Sequence, residues 1–98
     1  MKLGTNTRVF KRTFQNTSEH PILLRLEPWG DEGWVQPGSR VEVRATGPEA
    51  NSVMEVEEDG SVITVYGWPG STIVATCNAV IVASGEVPAP RTPMVRRS

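Results

Sequence analysis

This chain predicts an all-β fold, an antiparallel β-sandwich of about seven strands, and three observations carry that prediction. Its apolar residues recur with a period of two, no window repeats at 3.6, and turn-forming residues interrupt the pattern roughly every 8–14 residues. Two packed sheets are the economical solution, with a partly open β-barrel as the alternative. A chain of 98 residues is long enough to hold one hydrophobic core without staples.

The first strand is expected over residues 8–15, "RVFKRTFQ", with Phe10, Arg12 and Phe14 on one face and the Phe pair turned inward. "NTSEHP" is a turn cluster, and "ILLRLE" then sets Ile22, Leu24 and Leu26 against Leu23, Arg25 and Glu27. Pro28 closes that strand, because proline cannot donate to a ladder. "PWGDEGWVQPGS" is a long connection or a short irregular strand hinged on Gly30, Gly33 and Gly38. "RVEVRAT" alternates with Val41, Val43 and Ala45 inward, and the loop "GPEANS" follows. "VMEVEE" and "SVITVY" flank Asp59-Gly60, a dipeptide that suits a type I′ hairpin turn with both residues at its centre. "STIVATC" and "AVIVAS" are apolar on both faces, which suggests strands covered on both sides. These elements make residues 1–85 one β-sandwich domain. Residues 86–98, "EVPAPRTPMVRRS", are rich in Pro and Arg and read as a flexible, extended tail.

Two phrases nearly repeat, "GWVQPGSRVEV" from Gly33 and "GWPGSTIVA" from Gly67. Pro-Gly suits the centre of a type II turn in both, since Pro presets φ and Gly supplies the positive φ that follows. The tryptophans need a further reason. They either plug the open ends of the core, or Trp29, Trp34, Tyr66 and Trp68 form an aromatic platform for a sugar or a small ligand.

Composition narrows the chemistry. A formal net charge of −1 with scattered basic residues argues against nucleic acid as a partner. No apolar run is long enough for a membrane helix or a signal peptide, so no membrane association and a cytoplasmic location are expected, unless a leader precedes the chain. Asn16-Thr17-Ser18 is formally a glycosylation acceptor. One His and one Cys, His20 and Cys77, fall short of a copper or structural zinc set, so no metal and no cofactor are expected. Cys77 reads as a small buried hydrophobe rather than a nucleophile. Glu55, Glu57, Glu58 and Asp59 lack a calcium-loop pattern and read as a solvated strand face, with Arg40 and Arg44 as neighbours across the sheet. Glu27, beside Trp29 at a strand end, is the one carboxylate placed for chemistry, and an exposed glutamate is its plainer account.

The residues Leu26, Glu27, Pro28, Trp29, Gly30, Pro37, Gly38 and Gly67-Trp68 give the stretch 9–83 a likeness to a group of small bacterial β-domain proteins of unassigned function. That resemblance implies a bacterial origin and a small stand-alone β domain, and no mechanism.

The function expected from all of this is non-catalytic: a domain that binds a protein partner or forms a homo-oligomer. Thr72, Val74, Val80 and Val82 on the doubly apolar final strands are the expected interface. A carbohydrate or small-ligand module using the four aromatics is the alternative.

Overall fold

In the computed structural model, which describes residues 6–90, every regular element is a strand. In chain order these are β1 (Thr7–Gln15), β2 (Ile22–Glu27), β3 (Asp31–Val35), β4 (Arg40–Pro48), β5 (Glu55–Asp59), β6 (Val62–Tyr66), β7 (Thr72–Cys77) and β8 (Val80–Gly85). The eighth strand, relative to about seven expected, is β3. Its opening Asp31-Glu32-Gly33 hides the alternation, and pairing with β2 supplies it.

The strands form two open four-stranded sheets, β1-β4-β7-β8 and β3-β2-β6-β5, packed as a small sandwich rather than a closed barrel. The pairing is not wholly antiparallel, because β2 and β6 run parallel from Leu23↔Val62 to Glu27↔Tyr66. Strands so far apart in sequence meet only through the core, so no local turn signal announces the pair.

The inward faces make one hydrophobic core. Leu24 and Leu26 from β2, Val41, Val43 and Ala45 from β4, and Val65 from β6 are wholly buried, as the period-two pattern requires. A buried Leu or Val side chain of this kind contributes about 1.5–3 kcal/mol. Phe10 and Phe14 pack against this core from β1 but stay half-buried, with the guanidiniums of Arg8 and Arg12 stacked over their rings at 5.7 and 5.4 Å.

Four turns shape the chain: two carry it from one sheet to the other, and two close hairpins. Gln36 to Ser39 and Trp68 to Ser71 each close with an N–H to carbonyl bond, at 3.0 and 2.9 Å, over a Pro-Gly centre. Gly38 and Gly70 carry φ of +82° and +86°, as a type II turn demands. The repeated phrase is therefore one turn built twice. The β5–β6 hairpin forms as expected, but its two-residue loop is Gly60-Ser61, since Asp59 pairs with Val62. Only Gly60 has positive φ there, so the turn is of type II′ with Gly at its first central position. The expected type I′ geometry occurs instead in the β7–β8 hairpin, where Asn78 and Ala79 have φ of 52° and 65°.

The β7–β8 ladder contains a bulge. Ala75 pairs with Ala83 but Thr76 pairs with Ile81, leaving Val82 as the extra residue. The domain also continues past Gly85, where the sequence places a loose tail. Ala89 is buried, its N–H bonds the Ser71 carbonyl at 2.9 Å, and its carbonyl accepts the Gly70 N–H at 2.9 Å. The remainder of that proposed tail, residues 91–98, lies outside the described residues.

Candidate functional site

The four aromatics proposed as a platform do not share a surface. Trp68 is buried at 2 % exposure, its Nε1–H donates to the Pro48 carbonyl at 2.7 Å, and its ring meets Phe10 edge to face at 5.4 Å. It plugs one end of the core. Trp29 is half-buried and lies flat over glycine backbone: a Cβ on Gly85 would stand 2.1 Å from its ring, and one on Gly67 2.6 Å. Its Nε1–H donates to the Val87 carbonyl, so this ring pins the segment after β8.

Only Trp34 is broadly exposed, at 59 %. It occupies the outer face of β3 opposite Leu23, where strand alternation turns it away from the core while its neighbour Val35 points in. Tyr66 shares that outer face but sits opposite Glu27, and its hydroxyl donates to Glu57 Oε1 at 2.8 Å. Four strand positions separate the rows of Trp34 and Tyr66, about 13 Å along the sheet. The difference from the expectation has a simple cause. Trp68 stands at the first position of its Pro-Gly turn and faces the core, whereas Trp34 lies two residues before its own turn and faces water.

The outer face of this sheet is acidic around one cation. Arg25 Nε donates to Glu32 Oε2 at 2.8 Å on the neighbouring strand, and that bond, with Glu27 and Tyr66 nearby, holds the guanidinium above its ordinary pKa. Glu55 and Glu57 lie on β5, whose one sheet neighbour is β6, so they do not pair with Arg40 and Arg44 of β4 in the opposite sheet. Neither the period of the strands nor their turns could reveal that partition between sheets.

The expected interface is divided by the bulge. Thr72 and Val74 lie half-buried on the outer face of their sheet, and Val80 is 63 % exposed at the hairpin end. Val82 instead packs against the core, and Ile81, which the sequence did not single out, faces out opposite Thr76 at 59 % exposure. A one-residue insertion reverses the face of every residue beyond it. Thr72, Val74 and Ile81, with Arg44, Thr46 and Glu86, line a shallow groove of about 330 Å³ on this outer face.

The remaining candidates sit apart from any such surface. His20 is exposed in the β1–β2 connection, and Cys77 is a half-buried free thiol at the end of β7. Among the described residues no three of His, Cys, Asp and Glu gather where they could hold a metal ion, and no helix is long and apolar enough to cross a membrane. Asn16 is buried at 1 % exposure with both its amide hydrogens engaged, so the folded chain does not offer it as a glycosylation acceptor.

Comparison with protein-family models, with curated proteins and with solved structures returned no match.

Proposed function

We propose that this chain is a non-catalytic domain that works by binding protein, a second copy of itself or another chain, through the outer face of β7 and β8. The observation that supports it is the aliphatic surface there. Ile81 is exposed by 59 % and lines a groove together with Val74, while its neighbour Val80, exposed by 63 % at the hairpin end, points to the opposite face of the strand. The bulge at Val82 turns Ile81 away from the core and into water, at a cost that a bound partner offsets. Arg44 and Glu86 at the groove margin give a docking surface its polar rim.

Amide chemical shifts followed against protein concentration test the self-binding case. Shifts are expected to move over Thr72–Cys77 and Val80–Gly85, and Ile81→Lys should abolish the movement. Amides there that stay unmoved at the highest attainable concentration would remove self-association through this face.

A further inference from the structure

The two strand edges farthest from this face carry opposite charge and lie on one flank. The sandwich is joined along its other flank, where a Cβ on Gly33 of β3 would stand 2.3 Å from the Val82 carbonyl oxygen of β8 and the Ser84 N–H donates to Asp31 at 2.8 Å. That leaves β1, the edge of one sheet, and β5, the edge of the other, together on the opposite flank. Within Thr7–Gln15 the charged residues are Arg8, Lys11 and Arg12, all basic. Within Glu55–Asp59 they are Glu55, Glu57, Glu58 and Asp59, all acidic. Between the edges the core is incompletely covered: Phe10, Phe14, Met54 and Val56 are only half-buried, and Val53 is 56 % exposed.

We infer that this flank is a self-complementary docking surface, and that its occupant is a second copy of the chain. Two kinds of two-fold axis bring the flank against a copy. An axis normal to the sheets sets β1 on β1 and β5 on β5, which places like charges edge to edge. An axis along the strands sets β1 on the β5 of the copy and β5 on its β1, which joins unlike charges twice and closes the assembly at a dimer. Charge therefore selects the second arrangement and blocks the first. The two edges also run in the same direction. Asp31 meets Ser84 and Gly33 meets Val82, so β3 and β8 are antiparallel, and following the pairings across each sheet makes β1 and β5 codirectional. In the dimer each joined edge is a parallel pair, and the half-buried Phe10, Phe14 and Val56 are covered between them.

This extends the binding role proposed above to a second, separate surface, and its test keeps the two apart. Sedimentation of the full chain is the readout. Arg8→Glu/Lys11→Glu/Arg12→Glu makes both free edges acidic, and Glu55→Lys/Glu57→Lys/Glu58→Lys makes both basic. All six residues are exposed, so far-ultraviolet circular dichroism should stay that of the parent. Each variant alone is expected to be monomeric where the parent is dimeric, and an equimolar mixture is expected to restore a dimer. Raising salt from roughly 50 to 500 mM should weaken the parent dimer about tenfold, which decides the matter should either variant fail to fold. A parent that stays monomeric at low salt overturns the proposal, and so does a dimer indifferent to both reversals and to salt. A dimer lost on Ile81→Lys but kept by both reversals places the contact on β7–β8 and leaves the binding role standing without this flank.

Discussion

The Asn16 carboxamide donates to the carbonyls of His20 and Val35 at 2.8 and 2.9 Å and accepts from the Ser18 N–H and hydroxyl at 2.9 and 2.7 Å. Its backbone N–H bonds Ser39 and its carbonyl accepts Gly38, so one residue ties the end of β1 to β3 and to the first Pro-Gly turn. A buried amide with every polar atom engaged is costly to remove, because its partners are left unpaired. Asn16→Ala is expected to destabilise the domain by about 2–4 kcal/mol, read from the urea midpoint at unchanged slope. Asn16→Asp keeps the shape but aims an ionised oxygen at the carbonyls that the amide served. Burial and that repulsion raise the folded-state pKa of the new carboxyl. A raised pKa means the variant's deficit relative to the parent is smallest below the unfolded-state value and grows as pH rises through the folded one. Unfolding both proteins at roughly pH 4 and pH 7 tests the sign. In the sequence Asn16 reads as a turn residue or a glycan acceptor, since nothing local tells that β3 will cover it.

Among the elements, the turns were the most legible and the ladder partners the least. Pro-Gly followed by Ser encodes its own geometry, and both copies adopt it. The inward positions of β2 and β4 were likewise set by alternation alone. What local pattern could not supply was the bulge at Val82 and the loop register at Gly60-Ser61, each of which depends on how a strand meets its partner rather than on its own composition. For the same reason alternation alone puts Val82 on the surface, whereas the ladder turns Ile81 outward and packs Val82 against the core. The β7–β8 turn carries a further consequence. Ala79 holds φ of +65°, a region that costs an L side chain about 1–2 kcal/mol, at the position where a type I′ turn favours Gly after Asn. Ala79→Gly is therefore expected to stabilise the domain by about 1 kcal/mol, raising the melting temperature by about 4–8 °C. A melting temperature that stays level or falls would mean that Ala79 is not held left-handed in solution.

At the scale of the whole molecule the sandwich is asymmetric, with one flank joined and the other open, and both proposed surfaces follow from that. On the joined flank β3 and β8 approach so closely that Gly33 has backbone where a side chain would begin, with the Val82 carbonyl carbon at 3.0 Å from a Cβ as well as the oxygen at 2.3 Å. No rotamer can relieve a contact with main chain, so a methyl group there must push the two sheet edges apart. Separation would also strain the Asp31–Ser84 hydrogen bond and shift β8, the strand that presents Val80 and Ile81. The open flank, by contrast, lies across the molecule from that contact, and its edge strands β1 and β5 pair only within their own sheets. Gly33→Ala should therefore cost about 2–3 kcal/mol, a fall of roughly 8–24 °C in melting temperature, and impair binding through β7–β8. Charge-dependent pairing through β1 and β5 should persist in the same variant wherever it remains folded. Thermal unfolding and sedimentation of this one variant thus weigh the two flanks against each other, and loss of both kinds of association in a folded Gly33→Ala chain would show that they are not independent surfaces.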